Sequence, residues 1–117
     1  MGVEKKSLDK PDEVRGFDHG ELAVVELSSV TVGRAVFQPG WRWSQDVKPI
    51  VGGDSCRQAH TMYVLQGRMH VAMDDGTEEE IGPGDAAVLP PGHDAWVVGD
   101  QVFIALDWSG AATYAKP

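Results

Sequence analysis

One cysteine, Cys56, is all the thiol chemistry this chain has. A lone cysteine excludes an internal disulfide and suits a reducing, cytoplasmic setting. No apolar run approaches the roughly 20 residues that a membrane helix needs. The opening stretch MGVEKKSLDKPDEV carries charges without a following apolar segment, so it does not read as a secretory signal. Basic residues are the scarcer charge, ten Lys and Arg against eighteen Asp and Glu, for a formal net charge of −8. No basic block offsets this balance, and such a surface repels both nucleic acid and anionic membranes. Absent too are a Ser-His-Asp spacing, a phosphate loop and a dinucleotide fingerprint. The chain also has no 3.6-residue apolar stripe of helical length.

What remains is a pattern of short apolar runs, rich in valine and aromatics and closed by turn residues. With 117 residues, 42% of them hydrophobic, the chain makes one domain with a real core. Residues 1–20 are polar, include Pro11 and Gly16, and read as a poorly ordered lead-in. From ELAVVEL onward the runs cover about 22–27, 30–37, 41–47, 60–66, 68–73, 78–81, 85–89, 94–98 and 101–108. Closely spaced short strands of this kind predict an all-β sandwich or barrel over residues 21–110, with a tail at 111–117. Helix should be limited to a turn or two.

The turns carry local chemistry. In MDDGTE (73–78) an Asp-Gly pair between two apolar runs is a strong hairpin signal, because glycine tolerates positive φ. IGPGD (81–85) and LPPGH (89–93) use proline to preset φ and glycine to reverse the chain. The stretch SQDVKPIVGGDSCRQ (44–58) is a long irregular connection in an otherwise terse β protein, and long loops of this kind are often functional. TEEE (77–80) reads as a solvated strand edge whose like charges discourage edge-to-edge pairing.

These turns, in this order, resemble the cupin superfamily. GPGDAAVLPPG resembles the second cupin motif, a glycine, five residues, then Pro-x-Gly. HTMYVLQGRMHV (60–71) resembles the end of the first motif, where a ligand residue stands seven positions before a turn glycine, and FQPGW (37–41) resembles the Pro-Gly turn that precedes it. The resemblance covers roughly residues 22–108. It implies a small single-domain, RmlC-like cupin: an antiparallel β-barrel (double-stranded β-helix or jelly roll) with a pocket in its mouth, and a homodimer.

The family's metal pattern is His-x-His, a glutamate four residues later, and a histidine in the second motif. Here the glutamate place, seven before Gly67, holds His60. The His-x-His places hold Asp54 and Cys56, and the last falls on Ala95. A second register, counted from the Pro-Gly turn, brings the His-x-His places near Asp46 and Lys48 and makes 44–58 an insertion. Both registers stay open.

Strand parity says which side chains can meet. His93, Ala95 and Val97 share one face, as do His60, Met62 and Val64, and Met69, Val71 and Met73; His70 points the other way. The resemblance implies that these faces look into the barrel, which sets His60 and His93 on facing walls of the pocket, with Cys56 or a carboxylate from Asp54 or Asp46 completing a shell. Imidazole and thiolate suit borderline-soft metals and make an acceptable zinc or iron shell; the divalent ions expected are Zn, Fe, Mn or Ni. The plainer account is a packed thiol beside a hydrogen-bonded histidine, with His93 bonded to a backbone carbonyl. The pocket candidates are Trp43, Met62, Met69, Met73 and Trp96, aromatic walls favouring a small organic ligand. His19 reads as solvated, His70 as structural, and Trp41, Trp43, Trp96 and Trp108 as core or dimer contacts. The leading reading is a small-molecule-binding cupin, with a divalent metal in the pocket. The alternatives are a metal-dependent enzyme of dioxygenase, isomerase or lyase type, and a metal-free degenerate cupin serving as scaffold or sensor. Fold does not by itself choose among them.

Overall fold

A computed structural model describes residues 2–109, 115 and 116. The expected tail at 111–117 lies almost wholly outside the described residues. Among the described residues, nine strands run in the order β1 (Glu13–Phe17), β2 (Gly20–Glu26), β3 (Thr31–Phe37), β4 (His60–Gln66), β5 (Arg68–Met73), β6 (Glu78–Ile81), β7 (Ala86–Leu89), β8 (His93–Val98) and β9 (Phe103–Asp107). They form two antiparallel sheets. One has the order β1-β2-β3-β9-β4-β7 and the other the order β6-β5-β8. The sheets enclose the core as a jelly-roll sandwich and do not close into a continuous barrel. No described helix is long and apolar enough to cross a membrane.

The alternation read from the sequence is the alternation of burial. Along β8 the inward residues His93, Ala95 and Val97 are buried and the intervening ones are not; β4 and β9 repeat the pattern. The core draws Leu22, Val24 and Phe37 from β2 and β3, Val64 from β4, Met69 and Val71 from β5, and Phe103 from β9. Asp-Gly makes the β5–β6 hairpin, with Gly76 at φ 93° and Met73 N–H bonded to Thr77 O at 2.8 Å. Gly67, between β4 and β5, is required twice over. Its φ is +79°, and a Cβ there would lie 2.6 Å from Val102 O and 2.8 Å from Phe103 Cα.

Two segments depart from expectation. The lead-in is not uniformly irregular, because Glu13–Phe17 pairs with β2 from Glu13↔Val24 to Phe17↔Gly20. The inward residue of that strand is Arg15, which is buried and held by Glu13 at 3.0 and 3.1 Å, so no apolar alternation announces it. Residues 41–47, expected to be a strand, instead form a bridge and a helical turn. Arg42 pairs with Trp96, and two single turns follow, α1 (Trp43–Asp46) and α2 (Lys48–Val51). Asp46 accepts the Arg42 N–H at 2.9 Å, Asp94 accepts the Ser44 N–H at 3.1 Å, and Pro49 sits in the first turn of α2, where its missing N–H costs nothing.

Candidate metal centre

The long connection delivers one side chain to the site. After α2 the chain turns through Gly52 and Gly53, and Cys56 then settles against the start of β8. Its N–H donates to His93 O at 2.7 Å, while Gly92 N–H donates to Cys56 O at 2.7 Å. Ser55 Oγ donates to Asp74 at 2.8 Å, which ties the same loop to the β5–β6 hairpin. The Pro90-Pro91-Gly92 turn then sets His93. Gly92 has φ +94°, and His93 Nδ1–H donates to Pro90 O at 2.7 Å. The expected carbonyl bond therefore occupies Nδ1 and leaves Nε2 free of it.

His60 arrives from the other sheet. Its Nδ1–H donates to Asp107 Oδ2 at 2.5 Å, and its Nε2 lies 3.7 Å from Cys56 Sγ. The His60 and His93 rings meet edge to face at 5.4 Å between centroids. Cys56, His60 and His93 are all buried, and one potential ligand atom from each lies within 4.8 Å of the others. Burial alone would push the Cys56 thiol up, but hydrogen bonds with His60 and His93 overcome it and lower the pKa from 9.0 to about 6. Burial would likewise push His60 down. Its bonds to Asp107 and Cys56 win and raise it from 6.5 to about 9. The metal-free pair is thus a thiolate beside an imidazolium that a buried carboxylate holds from behind.

Of the pocket candidates, Trp43, Met62 and Met69 line the cavity that His60 and His93 also face. Met73 and Trp96 do not. Met73 borders a separate surface groove with Glu78 and Val88. Trp96 points outward between the His70 ring, 4.8 Å away, and the Arg42 guanidinium, 4.3 Å from its centroid. Of the alternative carboxylates, Asp54 is exposed and Asp46 is engaged by His19 at 3.2 Å and by Arg42 N–H, so neither joins the cluster. His19 is accordingly paired rather than simply solvated. Ala95, at the family's ligand place, is part of the wall.

Sequence reasoning missed Asp107. The signal was there: in FIALD it shares the inward parity of Phe103 and Ala105, and an acid in that row needs a partner. Also missed as walls were Phe37, Trp41 and Phe103, where Phe37 and Trp41 stack at 4.0 Å.

Solved structures share the architecture. The chain is similar to a protein of unknown function from Rhizobium leguminosarum bv. viciae (TM-score 0.65, 18% identity, covering 93% of this chain and 97% of that one). It is similar also to the polyketide cyclase RemF from Streptomyces resistomycificus (TM-score 0.63, 18% identity, 94% and 80%). A third likeness is to the oxalate decarboxylase of Lactobacillus farciminis (TM-score 0.61, 18% identity), where 87% of this chain spans only 32% of that one. At such identities the likeness shows the fold alone. No curated protein matches the sequence. Residues 52–113, more than half of the chain, match the model of the EutQ-like cupin domain, and the chain belongs to that cupin family.

Proposed function

We propose that this chain is a metal-binding cupin that presents one buried divalent ion to a ligand of only a few atoms. The observation that carries the reading is the mutual proximity, within 4.8 Å, of ligand atoms from Cys56, His60 and His93. Zinc bonds of about 2.3 Å to sulfur and about 2.0–2.1 Å to nitrogen set neighbouring tetrahedral ligand atoms about 3.5 Å apart. The 3.7 Å between Cys56 Sγ and His60 Nε2 is close to that. One thiolate with two imidazoles suits zinc, iron or nickel better than manganese, which prefers oxygen. Held by these three residues, such an ion would supply Lewis acidity toward an oxygen or nitrogen of the ligand.

The chain's own residues do the rest. Asp107 holds an Nδ1 proton on His60, and Pro90 O does the same for His93, which would leave each Nε2 to a metal. Phe37, Trp41, Met62, Met69 and Phe103 exclude bulk water. The cavity between them measures about 30 Å³. Since one water takes about 10–15 Å³ by that measure, the space suits a ligand of water-like size, not a large organic molecule. Binding is favoured over catalysis because Asp107, engaged by His60, is the one acid among the described lining residues. A metal-free scaffold has less support, since the Cys56–His60–Asp107 cluster is an ionised group in the interior, and burying charges is costly even when they are paired.

Elemental analysis of protein purified without chelator or nickel affinity resin tests the reading. The expected result is one equivalent of a single transition metal per chain. A chain that takes up no zinc, iron or nickel, even when they are supplied, overturns it. We also propose a homodimer through the outward face of the larger sheet, where Tyr63, Leu65 and Val88 stand exposed.

A further inference from the structure

We infer that Asp107 sets the charge of what the metal position accepts: the open place takes a small neutral donor and rejects an anion. The inference rests on the metal reading above and deepens it. Asp107 closes β9, pairs in register with Met62, and reaches diagonally to His60 two residues away on β4. Its carboxylate is buried, and both oxygens accept, Oδ2 from His60 Nδ1–H and Oδ1 from Ser109 N–H at 3.0 Å. With Nε2 of His60 given to a metal, the Nδ1 proton stays on its bond to Asp107, whose two oxygens both serve as acceptors.

The charge count then closes. The Cys56 thiolate and the Asp107 carboxylate contribute two negative charges, and the two imidazoles contribute none, because each keeps one N–H on an acceptor. A dication cancels the sum. No arginine or lysine is among the described residues that line the cavity, and nearly all of the wall is apolar. An anionic ligand would add a charge with nothing to pair it in a medium of low dielectric, which is costly. A neutral oxygen or nitrogen donor adds none. Asp107 is a positioning residue by its bond to His60 and a specificity residue by its charge.

The test uses the full chain loaded with cobalt(II), whose visible bands report the ligands, and azide as the anionic probe. Asp107→Asn keeps the shape and removes the charge. The expected result is that azide binds Asp107→Asn at least about tenfold more tightly than the parent, a difference of about 1.4 kcal/mol, and that Asp107→Glu restores the parent's weak binding. An Asp107 that were merely structural would change melting temperature or cobalt affinity and leave azide affinity unmoved. Equal azide binding in the parent and Asp107→Asn, or tighter binding in the parent, overturns the inference while the metal reading stands. A parent that takes up no cobalt overturns the metal reading itself and this inference with it. Should Asp107→Asn not fold, Asp107→Ser carries the same comparison with the same two outcomes.

Discussion

Cys56 and His93 are joined through their backbones before their side chains meet. The Cys56 N–H donates to His93 O at 2.7 Å, and the His93 N–H returns to Cys56 O at 3.3 Å, so the cysteine acts as a one-residue strand beside β8. Paired backbone groups of this kind leave little freedom to the side chains above them. Two of the three candidate ligands are therefore fixed by one sheet, and His60 comes from the opposite one. The site couples the two layers of the sandwich.

Gly92 N–H donates to Cys56 O at 2.7 Å and so takes part in that backbone pairing. It sits at φ +94°, and a Cβ would lie 3.0 Å from Asp74 Oδ2. Gly92→Ala should cost about 1–2 kcal/mol from the left-handed backbone alone. Because Gly92 N–H holds Cys56 O, the same change should also weaken metal binding. Gly67→Ala meets backbone atoms at 2.6 and 2.8 Å and should destabilise more, while leaving the metal affinity of the folded fraction unchanged. Thermal melts paired with a metal titration separate the two; loss of affinity in Gly67→Ala alone would contradict the assignment.

Removing either imidazole from a three-ligand shell should lower metal affinity at least about 10–100-fold. Stability should split the two variants. His60→Ala takes the imidazole away from a buried carboxylate, and breaking a buried pair costs about 3–5 kcal/mol. His93→Ala takes one hydrogen-bond donor away from Pro90 O, a smaller loss of about 1 kcal/mol. Metal content and melting temperature beside the parent check both; unchanged metal content in both variants would remove the site.

The metal-free pair should titrate without moving stability much. Cys56 is lowered from 9.0 to about 6, so taken alone its stabilisation is full above pH 9.0 and disappears as pH falls through about 6. His60 is raised from 6.5 to about 9, so its stabilisation is full below pH 6.5 and disappears as pH rises through about 9. On folding, one proton passes from the thiol to the imidazole, so folded and unfolded chains bind nearly equal numbers of protons between those limits. The slope of stability with pH from this pair is then close to zero. Ultraviolet absorbance of the apo-protein should show thiolate appearing with a midpoint at about 6, and His60→Ala should move that midpoint upward. A midpoint near 9 in the parent would refute the pairing.

Most of the strand pattern was legible because inward and outward residues alternate cleanly in HTMYVLQ and HDAWVV, and because Asp-Gly and Pro-Pro-Gly admit few geometries. The parity of His60 and His93 could be read for the same reason. What escaped was non-local. Arg15 replaces an apolar residue at an inward position, so β1 had no signature. Trp41 and Trp43 alternate as a strand would, yet Asp46 and Asp94 supply acceptors that favour a helical turn between them. Nothing in the spacing of the 44–58 loop says that Cys56 will pair with His93, or that Asp54 will stay in solvent. Asp107 stands 47 residues from its partner, and only the strand pairing of β4 with β9 brings them together.

The proposed dimer turns on one sheet face. Val88, Leu65 and Tyr63 are 72%, 49% and 39% exposed, and the pairings Thr61↔Val88 and Tyr63↔Leu106 place them on adjoining strands that face away from the core. An apolar group of this kind on a sheet exterior marks an interaction surface. Edge pairing through β6 is a poor alternative, because Glu78, Glu79 and Glu80 would meet their own copies there. Light scattering should therefore give the mass of two chains. Leu65→Glu or Val88→Glu should give one chain, with the fold intact, since an exposed substitution rarely moves stability by more than about 0.5 kcal/mol. A parent that scatters as a monomer, or variants that remain dimeric, would place the contact elsewhere or remove it.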